Sequence, residues 1–147
     1  MLLNSVALEN FRNYQKVDFH FEKVNLIVGP NTSGKSNLLE AIYFLCFGKS
    51  FRAERDSEII AWDKAFARIT GAIAPPAVFN SQSPPLTTIE VFVENRNTPF
   101  SKKTFKVNRV ARHKKIFVEN LSCVLFKPQD LELLDGSPSL RRNFLNE

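Results

Sequence analysis

The chain has 147 residues, of which 44% are hydrophobic and 24% are charged. This apolar share excludes a disordered tail, and the length suits one domain with a single core better than a two-domain enzyme. The 20 Lys and Arg exceed the 15 Asp and Glu, which gives a formal net charge of +5. Eight of the basic residues fall within 96–115, a stretch without any acid, so the remainder of the chain is slightly acidic.

The apolar runs, the N-terminus and the two cysteines indicate in which cell compartment the protein is expected. The longest apolar run, Ala41 to Phe47, is too short to span a membrane, and the N-terminus lacks the basic start and apolar core of a secretory leader. Cys46 and Cys123 each lie in an apolar stretch. We therefore interpret them as reduced core residues of a cytoplasmic protein, with a disulfide or a metal site as the alternative.

The first third of the chain predicts three strands and a helix. Alternating polar and apolar residues predict strands at 2–9 and 15–21, on either side of a turn. Val24–Val28 is a largely apolar run that leads straight into glycine, and it predicts a third strand. Apolar residues spaced three and four apart from Lys35 onward predict an amphipathic helix that ends near Gly48.

The rest of the chain is richer in strands. Proline, asparagine and serine between Ala74 and Pro85 indicate an exposed insertion between strands. The pattern further predicts strands at 66–74 and 88–94, a strand or hairpin over 104–110 that turns on Asn108-Arg109, an apolar strand at 122–126, and a helix that opens at Ser137-Pro138. The chain stops inside this last helix, which leads us to expect a fragment of a longer protein.

A phosphate-binding loop is the most specific motif. Eight consecutive residues match GxxxxGK[ST] between a predicted strand and a predicted helix: Gly29, Pro30, Asn31, Thr32, Ser33, Gly34, Lys35 and Ser36. Such a loop turns its backbone N–H groups toward phosphate oxygens, and the helix adds the positive end of its dipole. Lys35 would reach the β- and γ-phosphates and Ser36 would ligate Mg²⁺. The alternative is a glycine-rich turn that binds nothing.

Hydrolysis needs a further carboxylate near Mg²⁺, and no convincing one follows the loop. The run 59–63 ends in Asp63 but contains the bulky Trp62, and Glu90 interrupts the run 89–94. An edge strand or a turn is the better interpretation of both runs. The chain therefore carries about half of an ATPase site, and we expect little or no ATPase activity from it alone.

Four motifs in order resemble the RecF family of bacterial recombination mediators, which belong with the SMC-like ATP-binding-cassette heads. They are ENFRNY near the start, GPNTSGKSNLLEAIYFL, GKSFR at 48–52 and FKPQDLELLDGSPSLRRNFL at 126–145. The resemblance implies an α/β P-loop NTPase fold of the ABC and SMC-head type. Residues 1–147 would be its N-terminal lobe, a mixed sheet with an antiparallel β subdomain and the P-loop helix. The signature motif and the Walker B strand would belong to a C-terminal half.

The resemblance also implies function. It implies an ATP- and Mg²⁺-dependent homodimer and a slow DNA-dependent ATPase. This dimer would bind DNA at junctions of single and double strands and assist the loading of RecA with a RecR-type mediator. Arg12 resembles a position that reaches the nucleotide, with a surface arginine as the alternative. Gln129 would touch Mg²⁺ and the attacking water, unless it only begins a helix. Thr32 departs from the glycine usual in the loop, and Arg52 belongs to a motif whose role the chemistry does not reveal.

The basic stretch predicts a DNA contact. A surface rich in Lys and Arg releases counterions from DNA, and it contacts the backbone without reading bases. We expect the contact at Lys102, Lys103, Lys106, Arg109 and Arg112, on a strand with one buried and one cationic face, with a merely solvated hairpin as the alternative. Two other functions stay open: a small P-loop kinase, and a non-catalytic DNA-interaction module with a vestigial loop.

Overall fold

The computed structural model describes residues 2–74, 85–95 and 102–131, together with Ser139 and Arg142. The strands are β1 (Leu2–Phe11), β2 (Tyr14–His20), β3 (Phe66–Ala74), β4 (Thr87–Glu94), β5 (Lys102–Val107) and β6 (Val110–Arg112). The helices are α1 (Lys35–Phe47) and α2 (Lys114–Val118), with single 3₁₀ turns at Asp56–Ile59 and Pro128–Leu131. In the described part, the six strands form an antiparallel sheet in the order β2-β1-β3-β4-β5-β6.

The core lies between α1 and one face of this sheet. Alternate residues of β3 and β4, such as Ile69 and Val91, are completely buried because successive strand residues point to opposite faces. Leu38, Phe44 and Leu45 of α1 pack in the same cluster. The helix that follows the phosphate-binding loop is therefore anchored to the sheet by apolar burial, which holds the loop in a fixed place.

The opposite face of the sheet carries charges of alternating sign. Arg68 on β3 pairs with Glu9 on β1 at 2.7 Å and approaches Glu90 on β4 at 3.8 Å, and Glu90 pairs with Lys106 on β5 at 2.7 Å. The rings of Phe66 and Phe92 each lie 5.5 Å from the Arg68 guanidinium. This face thus neutralises part of the basic stretch within the sheet itself.

Most of the predicted elements are confirmed. The strands at 2–9, 15–21, 66–74 and 88–94 and the helix from Lys35 to Gly48 are present. The 104–110 region forms a hairpin between β5 and β6, and its turn residues Asn108 and Arg109 have φ of 49° and 68°. Positive φ at both central positions is the geometry that matches the twist of paired strands. The short helix α2 was not predicted.

The strands predicted at 24–28 and 122–126 are wrong for this structure. Neither segment belongs to a strand or a helix. Val24, Leu26 and Val124 are 88%, 87% and 95% exposed. An apolar run signals a tendency to be buried, but a strand also needs a neighbour for its N–H and C=O groups. The described residues supply no such neighbour for either run.

Other predictions fall on residues that the structure does not describe. Of the proline-rich insertion predicted from Ala74 to Pro85, residues 75–84 lie outside the described part, as do residues 96–101 at the start of the basic stretch. The helix expected from Ser137 also lies outside the described residues, apart from Ser139 and Arg142. No helix among the described residues is long and apolar enough to cross a membrane.

The two cysteines lie in the apolar interior, as their sequence surroundings predict. Cys46 on α1 is buried in the core cluster, and Cys123 packs against it as a partly buried residue. The hydrogen bond with Cys123 and the burial of the thiol both raise the pKa of Cys46. A thiol held in its neutral form is a poor nucleophile, so Cys46 serves packing rather than chemistry.

Gly48 ends α1 in a way that only glycine allows. It has φ of 63°, its N–H donates to the Phe44 carbonyl, and an added Cβ would lie 3.0 Å from the ring of Phe105. We expect Gly48→Ala to lower the free energy of unfolding by about 1–2 kcal/mol in urea titrations, because alanine is strained in the left-handed region. Gly29→Ala is the control. Its backbone is not left-handed, and its nearest neighbour is the exposed Ser33 side chain. An equal loss in both variants would contradict this account.

Candidate nucleotide-binding site

The loop 29–36 connects the segment 24–28 to the first turn of α1. Gly34 precedes the helix with φ of 102°, and its carbonyl accepts hydrogen bonds from the N–H groups of Asn37 and Leu38. A Cβ on Gly34 would lie 2.7–2.8 Å from Asn13 and the Tyr14 hydroxyl. Glycine is therefore required here twice over, by its backbone angle and by the close approach of the β1–β2 turn.

Lys35 and Ser36 lie at the positive end of α1. The first N–H groups of a helix have no partner within it, so they can bind an anion. The Lys35 Nζ donates to the carbonyls of Gly29 and Pro30, at 2.7 Å each. Asn31, Thr32, Gly34, Lys35, Ser36, Asn37 and Arg52 line a cleft of about 250 Å³ at this point. An ammonium, a hydroxyl and a helix N-terminus that meet in one cleft are suited to a phosphate group.

Thr32 has a backbone conformation that is unfavourable for threonine, as its place at a position usually occupied by glycine predicts. Its φ is 70°, in the left-handed region that disfavours β-branched residues. The loop nevertheless closes, because the Ser33 N–H donates to the Pro30 carbonyl at 3.3 Å and α1 follows immediately. The threonine is therefore compatible with the loop, at a cost of about 1–2 kcal/mol relative to glycine.

Glu40 is a buried carboxylate that two arginines share. Arg12 donates from Nε and Nη2 to its two oxygens at 2.9 and 2.7 Å, and Arg52 donates from the same two atoms to one of them at 3.0 and 2.6 Å. The Ser50 hydroxyl donates to the other oxygen at 2.6 Å. Burial by itself raises the pKa of Glu40, but these hydrogen bonds and the Arg12 charge outweigh it and hold that pKa below its usual value.

This network reaches the phosphate-binding loop through asparagines. Arg52 also donates to the Asn37 side chain, whose amide nitrogen donates to Asn13 Oδ1 at 2.6 Å. Asn13 Nδ2 in turn approaches the Ser33 carbonyl at 3.4 Å, and the Tyr14 hydroxyl donates to the Gly34 carbonyl at 3.2 Å. The β1–β2 turn and the loop are thereby held against each other by side chains.

Arg12 faces a second, larger cleft beside the loop. Its Nη1 donates to the Glu58 carbonyl at 2.7 Å, and its backbone N–H donates to the Ile59 carbonyl at 2.8 Å. The cleft has a volume of about 650 Å³, and Arg12, Asn13 and Asn37 form one side of it. In the run 59–63, for which sequence favoured an edge strand or a turn over a carboxylate strand, Trp62 and Asp63 form a turn, and Asp63 has φ of 60°.

The Arg12 side chain contacts Glu40 and the Glu58 carbonyl, and the next residue, Asn13, approaches the Ser33 carbonyl of the loop. The structure also places three residues in the site that sequence analysis missed, namely Glu40, Ser50 and Asn37. A single acid inside the apolar helix sequence Leu38-Leu39-Glu40-Ala41-Ile42 was the available signal. Gln129 lies in the 3₁₀ turn Pro128–Leu131, and its side chain is outside the described part of the structure.

The predicted basic residues do not share one face. Lys103 lies on the same side of β5 as the buried Phe105, where its Nζ pairs with Asp56 at 2.7 Å and donates to the Gly48 carbonyl at 2.9 Å. Lys106 points to the opposite face and pairs with Glu90. The expected strand with one buried and one cationic face is therefore wrong, because the register splits Lys103 from Lys106. Arg109 and Arg112 remain exposed at the edge of the sheet.

Together, the glycine-rich loop, the helix that follows it and the adjoining antiparallel sheet define a P-loop NTPase lobe of the type found in SMC-like ATPase heads. The family model described as the RecF/RecN/SMC N terminal domain matches residues 2–132, and the chain belongs to that family.

Within this family, the chain is similar to curated RecF proteins. The DNA replication and repair protein RecF of Halalkalibacterium halodurans is 40% identical over 99% of this chain and 37% of its own length. RecF of Bacillus cereus is 37% identical over 99% of this chain and 36% of its own length. The chain therefore spans little more than a third of the length of these curated relatives.

Solved structures agree with this similarity. The recombination mediator protein RecF-ATP in the RecFOR pathway superposes with a TM-score of 0.79 at 33% identity, over 99% of this chain and 38% of that one. A chain from work on ATP-driven dimerization and DNA-stimulated activation of SMC ATPases has a TM-score of 0.77 at 22% identity. The match covers 98% of this chain and 97% of that chain. At this identity, the similarity shows the fold alone.

We expect Glu40→Gln to destabilise the protein by about 2–3 kcal/mol, because two guanidiniums would lose the charge that balances them. The control is Glu9→Gln, which removes one half of an exposed ion pair and should cost less than about 1 kcal/mol. Urea unfolding at pH 7 measures both variants. Equal losses would show that Glu40 contributes no more than a surface charge.

The difference in free energy of unfolding between wild type and Glu40→Gln should depend on pH, and the pKa of Glu40 gives the sign of that dependence. The pKa of Glu40 is lower in the folded chain than in the unfolded one, so its contribution is present above that unfolded value, about 4.3. It is lost as the pH falls through the lower folded value. The gap between wild type and Glu40→Gln should therefore narrow below about pH 4.

Proposed function

We propose that this chain is the ATP-binding lobe of a RecF-like DNA replication and repair protein that works in the cytoplasm. The observation that carries the proposal is the cleft in which Lys35, Ser36 and the start of α1 meet. Its phosphate-binding chemistry agrees with the RecF-ATP structure that the chain resembles. Membership of the RecF/RecN/SMC family favours this function over a small P-loop kinase.

The proposed roles follow from the chemistry of each group. Gly29, Pro30, Asn31, Thr32, Ser33 and Gly34 present the loop backbone to the phosphates, and Lys35 balances their charge. The Ser36 hydroxyl provides one oxygen for Mg²⁺. Mg²⁺ keeps several waters and takes its other ligands from the phosphates, so a site with one protein oxygen fits it.

The other half of the ATPase site would come from outside this lobe. We propose that Gln129 acts near Mg²⁺ and that ATP joins two copies of the whole protein into a dimer, with Arg12 beside the nucleotide. Such a dimer would bind DNA at junctions of single and double strands and cooperate with a RecR-type mediator in loading RecA. The similarity to a solved structure of RecF with ATP supports ATP as the ligand of this lobe.

Removal of the Lys35 ammonium tests the nucleotide site. We expect Lys35→Ala to weaken ATP binding in the presence of Mg²⁺ by tenfold or more, because a charge-assisted contact to phosphate is lost. Retention of labelled ATP on a filter measures binding. Lys16→Ala is the control, since Lys16 lies opposite Glu9 on the sheet face away from α1. Equal retention by Lys35→Ala and wild type would refute the proposed function.

We propose that the DNA contact lies at the edge of the sheet, where Arg109 and Arg112 are exposed. Of the other predicted residues, Lys102 is also exposed, whereas Lys103 and Lys106 are paired with Asp56 and Glu90. Reversing Arg109 and Arg112 to Glu should lower the slope of log affinity against log salt by about 2, one for each lost phosphate contact. Reversing Lys16 and Lys23 near the opposite edge should leave the slope unchanged. DNA binding with an unaltered slope in the Arg109/Arg112 variant would show that the contact lies elsewhere.

A further inference from the structure

Cys46 and Cys123 are the two cysteines of the chain, and they lie side by side although 77 positions separate them in sequence. Cys46, in the last turn of α1, is buried, whereas Cys123 is only partly buried. Both line a largely apolar cleft of about 470 Å³ between the end of α1 and the segment 121–127. A small molecule that enters this cleft therefore reaches Cys123 before Cys46.

The hydrogen bond between the two thiols makes them chemically unequal. The Cys46 S–H donates to the Cys123 sulfur, and this bond lowers the pKa of Cys123, although its partial burial acts in the opposite direction. The charged residues in the lining of the cleft are Lys127 and Asp130, whose charged atoms lie 3.9 Å apart and largely balance each other. The thiolate is the form of cysteine that attacks an oxidant, so Cys123 is the more reactive of the two.

We propose that Cys46 and Cys123 form a reversible, redox-sensitive disulfide, with Cys123 as the attacking thiolate and Cys46 as the resolving thiol. The oxidant is a low-molecular-weight disulfide of the glutathione class, written RSSR. The Cys123 thiolate attacks one sulfur of RSSR, which forms a mixed disulfide and releases RS⁻. The Cys46 sulfur then attacks the Cys123 sulfur, loses its proton to the released RS⁻ and expels the second RS⁻. Two electrons thus pass from the chain to RSSR, which is reduced to two thiols.

Cys46 can resolve the mixed disulfide although it is a poor nucleophile in the reduced chain. The largest cause of its raised pKa is the hydrogen bond with Cys123, and the charge of Cys123 adds to the burial of the thiol. Both contributions of Cys123 disappear once its sulfur is bonded to RS. Contact between the two residues also gives Cys46 a high effective concentration at the mixed disulfide, which a second molecule in solution does not have.

The disulfide would tie a loosely held segment to the helix of the phosphate-binding loop. Residues 121–127 belong to no strand or helix, and Val124 and Phe126 are 95% and 69% exposed. Leu121 and Cys123 are the residues through which this segment contacts the core cluster. A covalent bond from Cys123 to α1 would fix it there and would constrain the unfolded chain. In the cytoplasm such a bond is transient, as is typical of redox sensors.

The absence of a third cysteine from the sequence makes the test direct. The reduced chain is incubated with oxidised glutathione at pH 7, quenched with acid and weighed by mass spectrometry. We expect the wild-type chain to lose two hydrogens without retaining glutathione, and dithiothreitol to restore both thiols. Cys46→Ala should retain one glutathione on Cys123, because nothing resolves the mixed disulfide. Cys123→Ala should react about tenfold more slowly than Cys46→Ala, since Cys46 is buried and neutral.

Two controls connect these results to the fold. In urea, where both thiols are exposed, Cys46→Ala and Cys123→Ala should react at similar rates. Lys35→Ala should be oxidised like the wild type, because Lys35 begins α1 and Cys46 lies in its last turn. Loss of ATP binding in Lys35→Ala therefore leaves this inference standing, and failure of the disulfide leaves the nucleotide site standing.

Unfolding in urea gives a second measurement. The midpoint should rise when the wild-type chain is oxidised and should not rise for Cys46→Ala under the same treatment. Three results would overturn the inference: a wild-type chain that retains glutathione, a folded chain that stays reduced while the urea-unfolded chain is oxidised, or a disulfide that joins two chains. These results are read from the wild-type chain, so they decide even if a cysteine variant does not fold.

Discussion

A single buried carboxylate organises the nucleotide site. Glu40 lies on the inward side of α1, and water does not reach it. A charge in such a place is tolerated only when partners replace its hydration, and here Arg12, Arg52 and Ser50 fill both oxygens. These partners lie 28, 12 and 10 residues away in sequence. Glu40 therefore joins the β1–β2 turn and the segment after α1 to the helix that carries the phosphate-binding loop.

Arg12 and Arg52 extend from this carboxylate to two different parts of the site. Arg52 extends to Asn37 and the phosphate cleft, and Arg12 faces the larger cleft with its remaining nitrogen on the Glu58 carbonyl. Because both guanidiniums share one anchor, a shift of α1 would move both walls of the site together. The resemblance of the ENFRNY and GKSFR motifs to one family thus acquires a physical reason, since Arg12 and Arg52 are two contacts of the same acid.

Local patterns predicted the elements, and long-range pairing decided the rest. Strand alternation and the spacing of apolar residues are visible within ten residues, which is why β1 to β5, α1 and the loop could be predicted. The function of Glu40 could not, because the ion pairs that hold it have no local pattern. The strand predictions at 24–28 and 122–126 were wrong because they considered only the local sequence. Their composition measures how strongly they avoid water, but a strand exists only where a neighbouring strand completes its hydrogen bonds.

Strand register also changes what the net charge of +5 means. Counted along the sequence, the basic stretch forms one cationic block. In the sheet, period two places Lys103 beside Phe105, where it contacts Asp56 and the C-terminal end of α1, and it turns Lys106 toward Glu90. A cation at a helix C-terminus stabilises the fold, and a paired lysine has less charge to offer a phosphate backbone. The exposed Arg109 and Arg112 lie at the β5–β6 edge, so the alternation of side chains along the strand limits where the proposed DNA contact could form more tightly than composition does.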